Sequence, residues 1–296
     1  MPELPEVETL RTGLEKLVLD KKIKEVKILA KKIAAPSAVF LEKKLVDKKF
    51  EKISRCGKLL IFEIDSDCFF LVHLKMTGQL IYVSKNERLL GGHSLTKKNE
   101  ELNFNNSAGG SLPNKYTRAI FSFSDNSNLY FNDLRKFGYL KIVDRKDLDK
   151  LLLNNYGPEP GSREFNFNYL KNSLKNKNIS IKAFLLNQKN IAGLGNIYVD
   201  ESLYLSNIKP SRKSNSLNDQ EIKKLVLEIK KIIKKAIKYQ GTTFSDFRDV
   251  YGKKGNFSKF LKVYGRGGQG CYECKNNIKK IKLAGRGTHF CDNCQK

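Results

Sequence analysis

Met1-Pro2-Glu3-Leu4-Pro5-Glu6-Val7-Glu8 opens the chain, and two readings of it lead to different molecules. As local structure, Pro suits the first turn of a helix, and Glu3, Glu6 and Glu8 suit the positive end of its dipole. As chemistry, loss of the initiator Met leaves a secondary amine at Pro2 with a carboxylate beside it. A small penultimate residue such as Pro is compatible with that loss. An α-amino group titrates near pH ~8, so a useful fraction is unprotonated and nucleophilic at neutral pH. Beyond Pro5, Val7, Leu10, Leu14, Leu17 and Val18 recur at helical spacing, which predicts an amphipathic helix over 5–19 with Pro2-Glu3 at its head.

Short β-like runs follow at Ile23–Leu29, Leu59–Ile64, Phe69–Leu74, Ala119–Phe123, Leu129–Phe131 and Tyr139–Val143, separated by Gly, Asp, Asn and Ser. Such spacing suggests a sandwich or barrel. Residues 84–115 hold Gly91-Gly92, Asn105-Asn106 and Gly109-Gly110 with little periodicity, and read as a long exposed loop or disordered insertion in which His93 is a solvated residue. Asn154–Ser162, with Gly157-Pro158-Glu159-Pro160-Gly161, continues neither a helix nor a central strand, which places a domain boundary there. Downstream, Asn218 or Asp219 can cap a helix with Ile222, Leu225, Val226, Ile229, Ile232, Ile233, Ala236 and Ile237 on one face and Lys on the other. The Lys face reads as solvated, with phosphates or a membrane surface as alternatives.

With 296 residues and 40% hydrophobic content the chain is long enough for about two globular domains. No stretch approaches ~18 consecutive apolar residues, and acidic residues stand where a signal peptide needs basic ones; the expectation is a soluble, intracellular protein. The net charge of +25 is uneven: residues 151–296 carry 28 basic against 11 acidic residues, and residues 1–150 carry 28 against 20. Such a field attracts polyanions, nucleic acid first and an anionic membrane surface as the rival, although Lys-rich composition throughout accounts for part of the excess.

Cys271, Cys274, Cys291 and Cys294 form C-x2-C-x16-C-x2-C, a spacing that brings two thiolate pairs together for tetrahedral zinc. Two disulfides are the alternative, which the missing secretory signal disfavours; Cys56 and Cys68 read as lone buried thiols. With four thiolates and no open position the zinc is structural. Ile191-Ala192-Gly193-Leu194-Gly195-Asn196-Ile197-Tyr198 precedes a helical-looking Val199–Leu205, and reads either as an ordinary tight turn or as a helix start with N–H groups open to a DNA phosphate.

Taken together, the Pro2–Glu8 opening, the Gly193–Tyr198 turn and the C-terminal four-cysteine unit resemble the formamidopyrimidine-DNA glycosylases, bacterial enzymes that excise oxidised purines, over nearly the whole chain. The resemblance implies an α+β protein: an N-terminal β-sandwich domain over 1–150 that starts with a helix, a hinge over 151–162, a helical helix-two-turn-helix domain over 163–262, and a four-cysteine zinc-finger β-hairpin over 263–296. It implies Pro2 as nucleophile, Glu3 as general acid/base, Glu6 as a supporting carboxylate, and Lys58, in Arg55-Cys56-Gly57-Lys58-Leu59-Leu60, as a pocket lysine on a strand that contacts phosphate. Met76, Arg135 and Phe137 resemble the side chains that fill the gap left by an extruded nucleotide, roles that apolar stacking and a hydrogen-bonding guanidinium suit. Asn196 and Tyr198 resemble phosphate contacts of the helix-two-turn-helix. Arg286, in Gly285-Arg286-Gly287-Thr288, resembles the zinc-hairpin arginine that grips phosphate near the lesion, with Arg266 a lesser counterpart; His289 lies between metal ligands in sequence, but four Cys already complete the site, so it reads as a hairpin surface residue.

By the same resemblance, segment 246–265, with Gly252-Lys253-Lys254-Gly255, aligns with a flexible stretch that folds over the everted base. One departure stands out: where many members carry a Lys-His-Asp-His-like run, this chain has Lys115-Tyr116-Thr117-Arg118 after an unusually long loop. The function implied is a bifunctional DNA glycosylase/AP lyase of base excision repair that works on damaged double-stranded DNA. It would carry one structural zinc and act as a cytoplasmic, nucleoid-associated monomer with no membrane partner. An endonuclease VIII-like enzyme for oxidised pyrimidines shares this chemistry and architecture, but Leu4-Pro5-Glu6-Val7-Glu8 and the Met76, Arg135, Phe137 set favour the purine enzyme. A non-catalytic zinc-ribbon nucleic-acid-binding protein fits the composition and the cysteines and leaves Pro2-Glu3 unexplained.

Overall fold

The computed structural model describes residues 2–92, 104–242 and 256–296. Residues 93–103 and 243–255 lie outside the described residues, and with them His93 and the Gly252–Gly255 run. The chain divides into two compact units, Met1–Leu152 with Tyr239–Asn256, and Leu153–Lys238 with Phe257–Lys296.

In the first unit α1 (Leu4–Val18) precedes β1 (Ile23–Ile28), β2 (Ala34–Ala35), α2 (Ala38–Leu45), β3 (Lys52–Cys56), β4 (Leu59–Asp65), β5 (Cys68–His73), β6 (Gly78–Val83) and β7 (Arg88–Gly92). A short α3 (Phe104–Ala108), β8 (Thr117–Phe123), β9 (Asn128–Asp133), β10 (Tyr139–Asp144) and α4 (Arg145–Asn155) complete the run, α4 crossing into the second unit at Leu153. The strands make two five-stranded sheets, ordered β1-β8-β9-β6-β7 and β2-β10-β5-β4-β3, antiparallel except for the β2–β10 pair. Between them lies one apolar core. β8 alternates buried and half-buried residues as a strand with one covered face must, while β5, central in its sheet, is buried throughout. Phe50, Phe62 and Phe70 pack with ring centroids 4.8–6.0 Å apart, and Phe70 meets Phe121 of the other sheet at 5.4 Å, so aromatic contacts cross the core.

The expected loop over 84–115 needs correction. Arg88–Gly92 is a strand paired with β6, from Val83↔Arg88 to Gln79↔Gly92, with Leu89 and Leu90 buried, and Phe104–Ala108 is helical. Gly91 lets α1 approach: a Cβ there would lie 2.3 Å from a Leu10 methyl. Two glycines in a five-residue edge strand hide the alternation that identifies strands from sequence.

The second unit holds α5 (Phe167–Leu174), α6 (Ile181–Leu186), α7 (Asn196–Leu205) and α8 (Asp219–Lys238), then the hairpin β11 (Lys279–Leu283) and β12 (Arg286–Phe290). α8 buries Ile222, Leu225, Val226, Ile229, Ile232, Ile233 and Ala236, as its 3.6-residue pattern requires, and Asn218 caps it by accepting the Glu221 N–H at 3.0 Å. The hairpin closes through Ala284 and Gly285, both at positive φ, between the paired Leu283 and Arg286. Among the described residues no helix is long and apolar enough to cross a membrane.

Candidate active site

The opening octapeptide satisfies both of its readings at once. Glu3 is the N-cap of α1, and its side chain accepts the N–H of Glu6, while a Glu6 carboxylate oxygen accepts the Glu3 N–H at 2.9 Å. This reciprocal capping box fixes the peptide that joins Pro2 to Glu3, and Pro2, Glu3 and Glu6 are all buried. The second Glu6 oxygen accepts the Thr242 N–H at 2.8 Å and the Thr242 hydroxyl at 3.0 Å. Gly241, at φ +77°, brings that segment in; a Cβ there would stand 2.6 Å from the same oxygen. A buried carboxylate so fully engaged is a rigid support for its neighbours. Thr242 is a site residue that sequence reading missed; its only signal is the glycine after a long helix.

Lys58 is buried, but not on a strand as expected. It occupies the second position of the two-residue turn between Cys56 and Leu59, with Gly57 at φ +57° in the first. His73 at the end of β5 is close enough to feel its charge. Burial first, then the Lys75 and Lys58 charges, push the His73 pKa down to about 3, so the imidazole is neutral at physiological pH. Its Nδ1 accepts the Lys75 N–H at 3.0 Å, which assigns the remaining proton to Nε2.

Met76, Arg135 and Phe137 come together on the surface of this unit. The Arg135 guanidinium donates to Met76 Sδ at 3.2 Å and lies 4.6 Å over the Phe137 ring, while Met76 and Phe137 remain 36% and 52% exposed. Large apolar side chains left in water around an arginine are poorly explained by packing and well explained by a surface that stacks on something. Beneath them is a buried carboxylate that sequence reading missed. Asp133 accepts the Thr77 hydroxyl, the Arg135 N–H at 3.1 Å and the Gly138 N–H at 2.7 Å, tying the β5–β6 turn to the β9–β10 turn. In the departing Lys115–Arg118 run, the Arg118 guanidinium donates to the carbonyls of Asp133 and Lys115, so this arginine is used to brace the same turn.

In the second unit Arg286 stands exposed at the hairpin tip. The main chain behind it is held by α6 and α7: the Asn196 amide donates to the Gly287 carbonyl at 2.9 Å, and Asp200 accepts the His289 N–H at 2.8 Å. Asp200 also pairs with Lys182 at 2.5 Å, both side chains having no exposed surface. Tyr198 is fully buried, its ring 5.7 Å from Phe257, so a phosphate contact by its side chain is not available in this arrangement. His289 is likewise buried rather than on the hairpin surface, edge-on to Tyr264 at 5.1 Å. Arg266 spends its guanidinium on the Lys262 and Gly270 carbonyls and on the Tyr272 ring, 3.6 Å away, as a brace within the ribbon.

The four cysteine sulfurs lie within 4.8 Å of one another and none forms a disulfide. A tetrahedron with Zn–S bonds of about 2.3 Å has edges of about 3.8 Å, and the Cys271–Cys294 and Cys274–Cys291 pairs, at 3.9 and 3.4 Å, bracket that value. The donor set fits zinc with no position open for substrate.

Three family models match in succession: the formamidopyrimidine-DNA glycosylase N-terminal domain over residues 1–140, the H2TH domain of the same enzymes over 156–248, and a zinc finger found in them and in isoleucyl-tRNA synthetase over 268–296. The chain belongs to the formamidopyrimidine-DNA glycosylase family. Relatives of that name from Desulfitobacterium hafniense and Ligilactobacillus salivarius are 37% and 39% identical over 302 and 297 residues, covering all of this chain and 99–100% of theirs. The Lactococcus lactis glycosylase bound non-covalently to DNA containing an AP site superposes with a TM-score of 0.85 at 34% identity, covering 99% of each chain. The same enzyme in complex with DNA containing N7-benzyl-Fapy-dG matches at 0.83 and 35%, with both chains fully covered. A formamidopyrimidine-DNA glycosylase is a DNA-repair enzyme with glycosylase and AP lyase activity, and this membership removes the reading as a non-catalytic zinc-ribbon protein.

Proposed function

We propose that this glycosylase excises oxidised purines, 8-oxoguanine and formamidopyrimidines, from duplex DNA through an iminium formed by Pro2. The observation that carries the reading is the capping box that buries Glu3 and Glu6 directly behind Pro2. With Met1 removed, the Pro2 nitrogen attacks the sugar C1′, the C1′–N bond breaks and the base leaves with a proton, while the Glu3 carboxyl moves protons at the sugar oxygen as the ring opens. The resulting iminium carries positive charge beside C2′ and acidifies its proton. Loss of that proton expels the 3′ phosphate by β-elimination, and δ-elimination then expels the 5′ phosphate, leaving a one-nucleotide gap. Met76, Arg135 and Phe137 supply stacking and a hydrogen bond in the space the everted nucleotide leaves. Lys58 and Asn196 contact phosphates, as does Arg286, held at the hairpin tip. Tyr198 contributes there through its main chain alone. One zinc on the four cysteines holds the hairpin backbone in place. The single-lesion chemistry needs one copy, so the enzyme acts as a monomer, in the cytoplasm on the nucleoid.

Borohydride trapping of the mature, untagged protein tests this on a duplex with 8-oxoguanine opposite cytosine. The expected result is a covalent adduct that peptide mapping assigns to Pro2. Full strand cleavage after acetylation of the mature N-terminus would overturn the nucleophile. Faster excision of thymine glycol than of 8-oxoguanine would transfer the substrate assignment to oxidised pyrimidines.

A further inference from the structure

Asn196, Asp200 and Tyr204 follow one another at intervals of four on α7, so they form a single stripe about 12 Å long. All three side chains meet the zinc ribbon. Asn196 takes the Gly287 carbonyl and Asp200 the His289 N–H, and at the far end the Tyr204 hydroxyl lies 3.2 Å from Cys271 Sγ. Both Tyr204 and Cys271 are 1% exposed, and they share a small core with Val263, Ile278 and Cys291. The same end is fastened by Asn207, which donates to the Cys294 carbonyl at 3.2 Å, and by Gln295, which accepts from the Cys291 N–H and donates to the Ile208 carbonyl, each at 2.8 Å.

A thiolate bound to a metal has no proton to give, so the direction of the Tyr204–Cys271 contact is settled once zinc is present: the hydroxyl donates and sulfur accepts. Four thiolates around one divalent ion leave an excess of two negative charges on the sulfurs, and Cys271 and Cys291 hold their share in buried positions. A donor aimed at one sulfur withdraws electron density from the lone pair that an electrophile needs. We propose that Tyr204 is an outer-sphere residue of the metal centre, whose hydroxyl lowers the nucleophilicity of the Cys271 thiolate and so protects the zinc from release. The inference rests on the zinc reading of the four cysteines. It also extends the work of α7, whose first turn holds the main chain behind Arg286, to the metal itself.

The test uses the zinc-loaded full chain and Tyr204→Phe, a change that keeps the ring and deletes one oxygen. Methyl methanethiosulfonate is the probe: the thiolate sulfur bonds to the methylthio sulfur, methanesulfinate leaves, and the zinc freed by the lost ligand is followed with a colorimetric chelator. Release is expected to be roughly tenfold faster in the variant, the scale of one charge-assisted hydrogen bond. The cobalt-substituted proteins give a second readout that packing alone does not move. The sulfur-to-cobalt charge-transfer band should shift to lower energy when the donor is lost. Bound zinc with the same release rate and the same cobalt spectrum in both proteins would overturn the role of Tyr204 and leave the metal site standing. A purified wild-type protein without bound metal would instead remove the metal reading, and this role with it.

Discussion

Asp133 and Asp200 are both wholly buried, and each fixes the main chain beside an arginine offered to solvent, yet they are satisfied by opposite means. Asp133, below Arg135, takes the Thr77 hydroxyl and the N–H groups of Arg135 and Gly138, all neutral donors. Asp200, behind Arg286, takes the Lys182 ammonium on one oxygen and the His289 N–H on the other. In the first unit a buried charge is held by dipoles that two turns converge on it; in the second it is held by a buried counter-charge. Both solutions fix the main chain that carries an exposed arginine, but they should fail differently when one partner is taken away.

The largest effect is expected in the second unit. Lys182→Met leaves Asp200 buried without its cation, which costs about 3–5 kcal/mol, whereas the double variant Lys182→Met/Asp200→Asn removes both charges and recovers most of the loss. Denaturant unfolding of the four proteins in a double-mutant cycle measures this. A double variant no more stable than Lys182→Met would show that the ion pair does not set the stability of the hairpin seat. DNA affinity adds a second reading, since Asp200→Asn also weakens the bond that holds the His289 N–H behind Arg286.

Asp133→Asn is expected to be milder. The amide keeps one acceptor oxygen but turns an N–H2 toward donors, so one or two buried bonds are lost at about 1–3 kcal/mol. The functional readout should exceed the stability loss, because the Met76, Arg135, Phe137 cluster is then no longer assembled before DNA arrives. A 2-aminopurine placed beside an abasic site reports insertion of that cluster. Wild-type fluorescence kinetics in a destabilised Asp133→Asn protein would separate the carboxylate from the wedge.

What was legible in the sequence divides along the same line. Helix α1, the sandwich strands with unbroken apolar runs, and the cysteine ribbon are local patterns, set by spacings of a few residues. The capping box between Glu3 at the N-cap and Glu6 in the first turn is equally local, although the sequence is read there only for the helix dipole and for a supporting carboxylate. The contacts that hold the site are long-range: Glu6 to Thr242 spans 236 residues, Thr77 to Asp133 spans 56, and Asn196 to Gly287 spans 91. No periodicity encodes such pairs. Strands β2, β3, β6 and β7 escaped notice for a different reason. β2, β3 and β7 are sheet edges, and Gly78, Gly91 and Gly92 interrupt the pattern where other segments crowd the backbone. Tyr198 and His289 carry polar atoms that suggest surface, yet their rings fill core positions, and only packing reveals that.

The smallest effect sharpens the contrast by pH. His73 is the other neutral group that supports the wedge turn, since its Nδ1 holds the Lys75 N–H just before Met76. Its folded pKa, pushed down to about 3 by burial and by the Lys75 and Lys58 charges, lies below the value of about 6.5 it has in an unfolded chain. Below pH about 6.5 the unfolded chain therefore binds a proton that the folded one does not. The stabilisation is complete above that pH and is lost progressively as pH falls toward 3. Between pH 6.5 and 5.5 the loss is about 1 kcal/mol. His73→Gln, which keeps an acceptor and cannot titrate, should flatten the stability profile over this interval while lowering stability at pH 7 only modestly. An unchanged slope in that variant would move the acid sensitivity to another group. A flattened slope would show that the first unit owes its acid sensitivity over this interval to one imidazole.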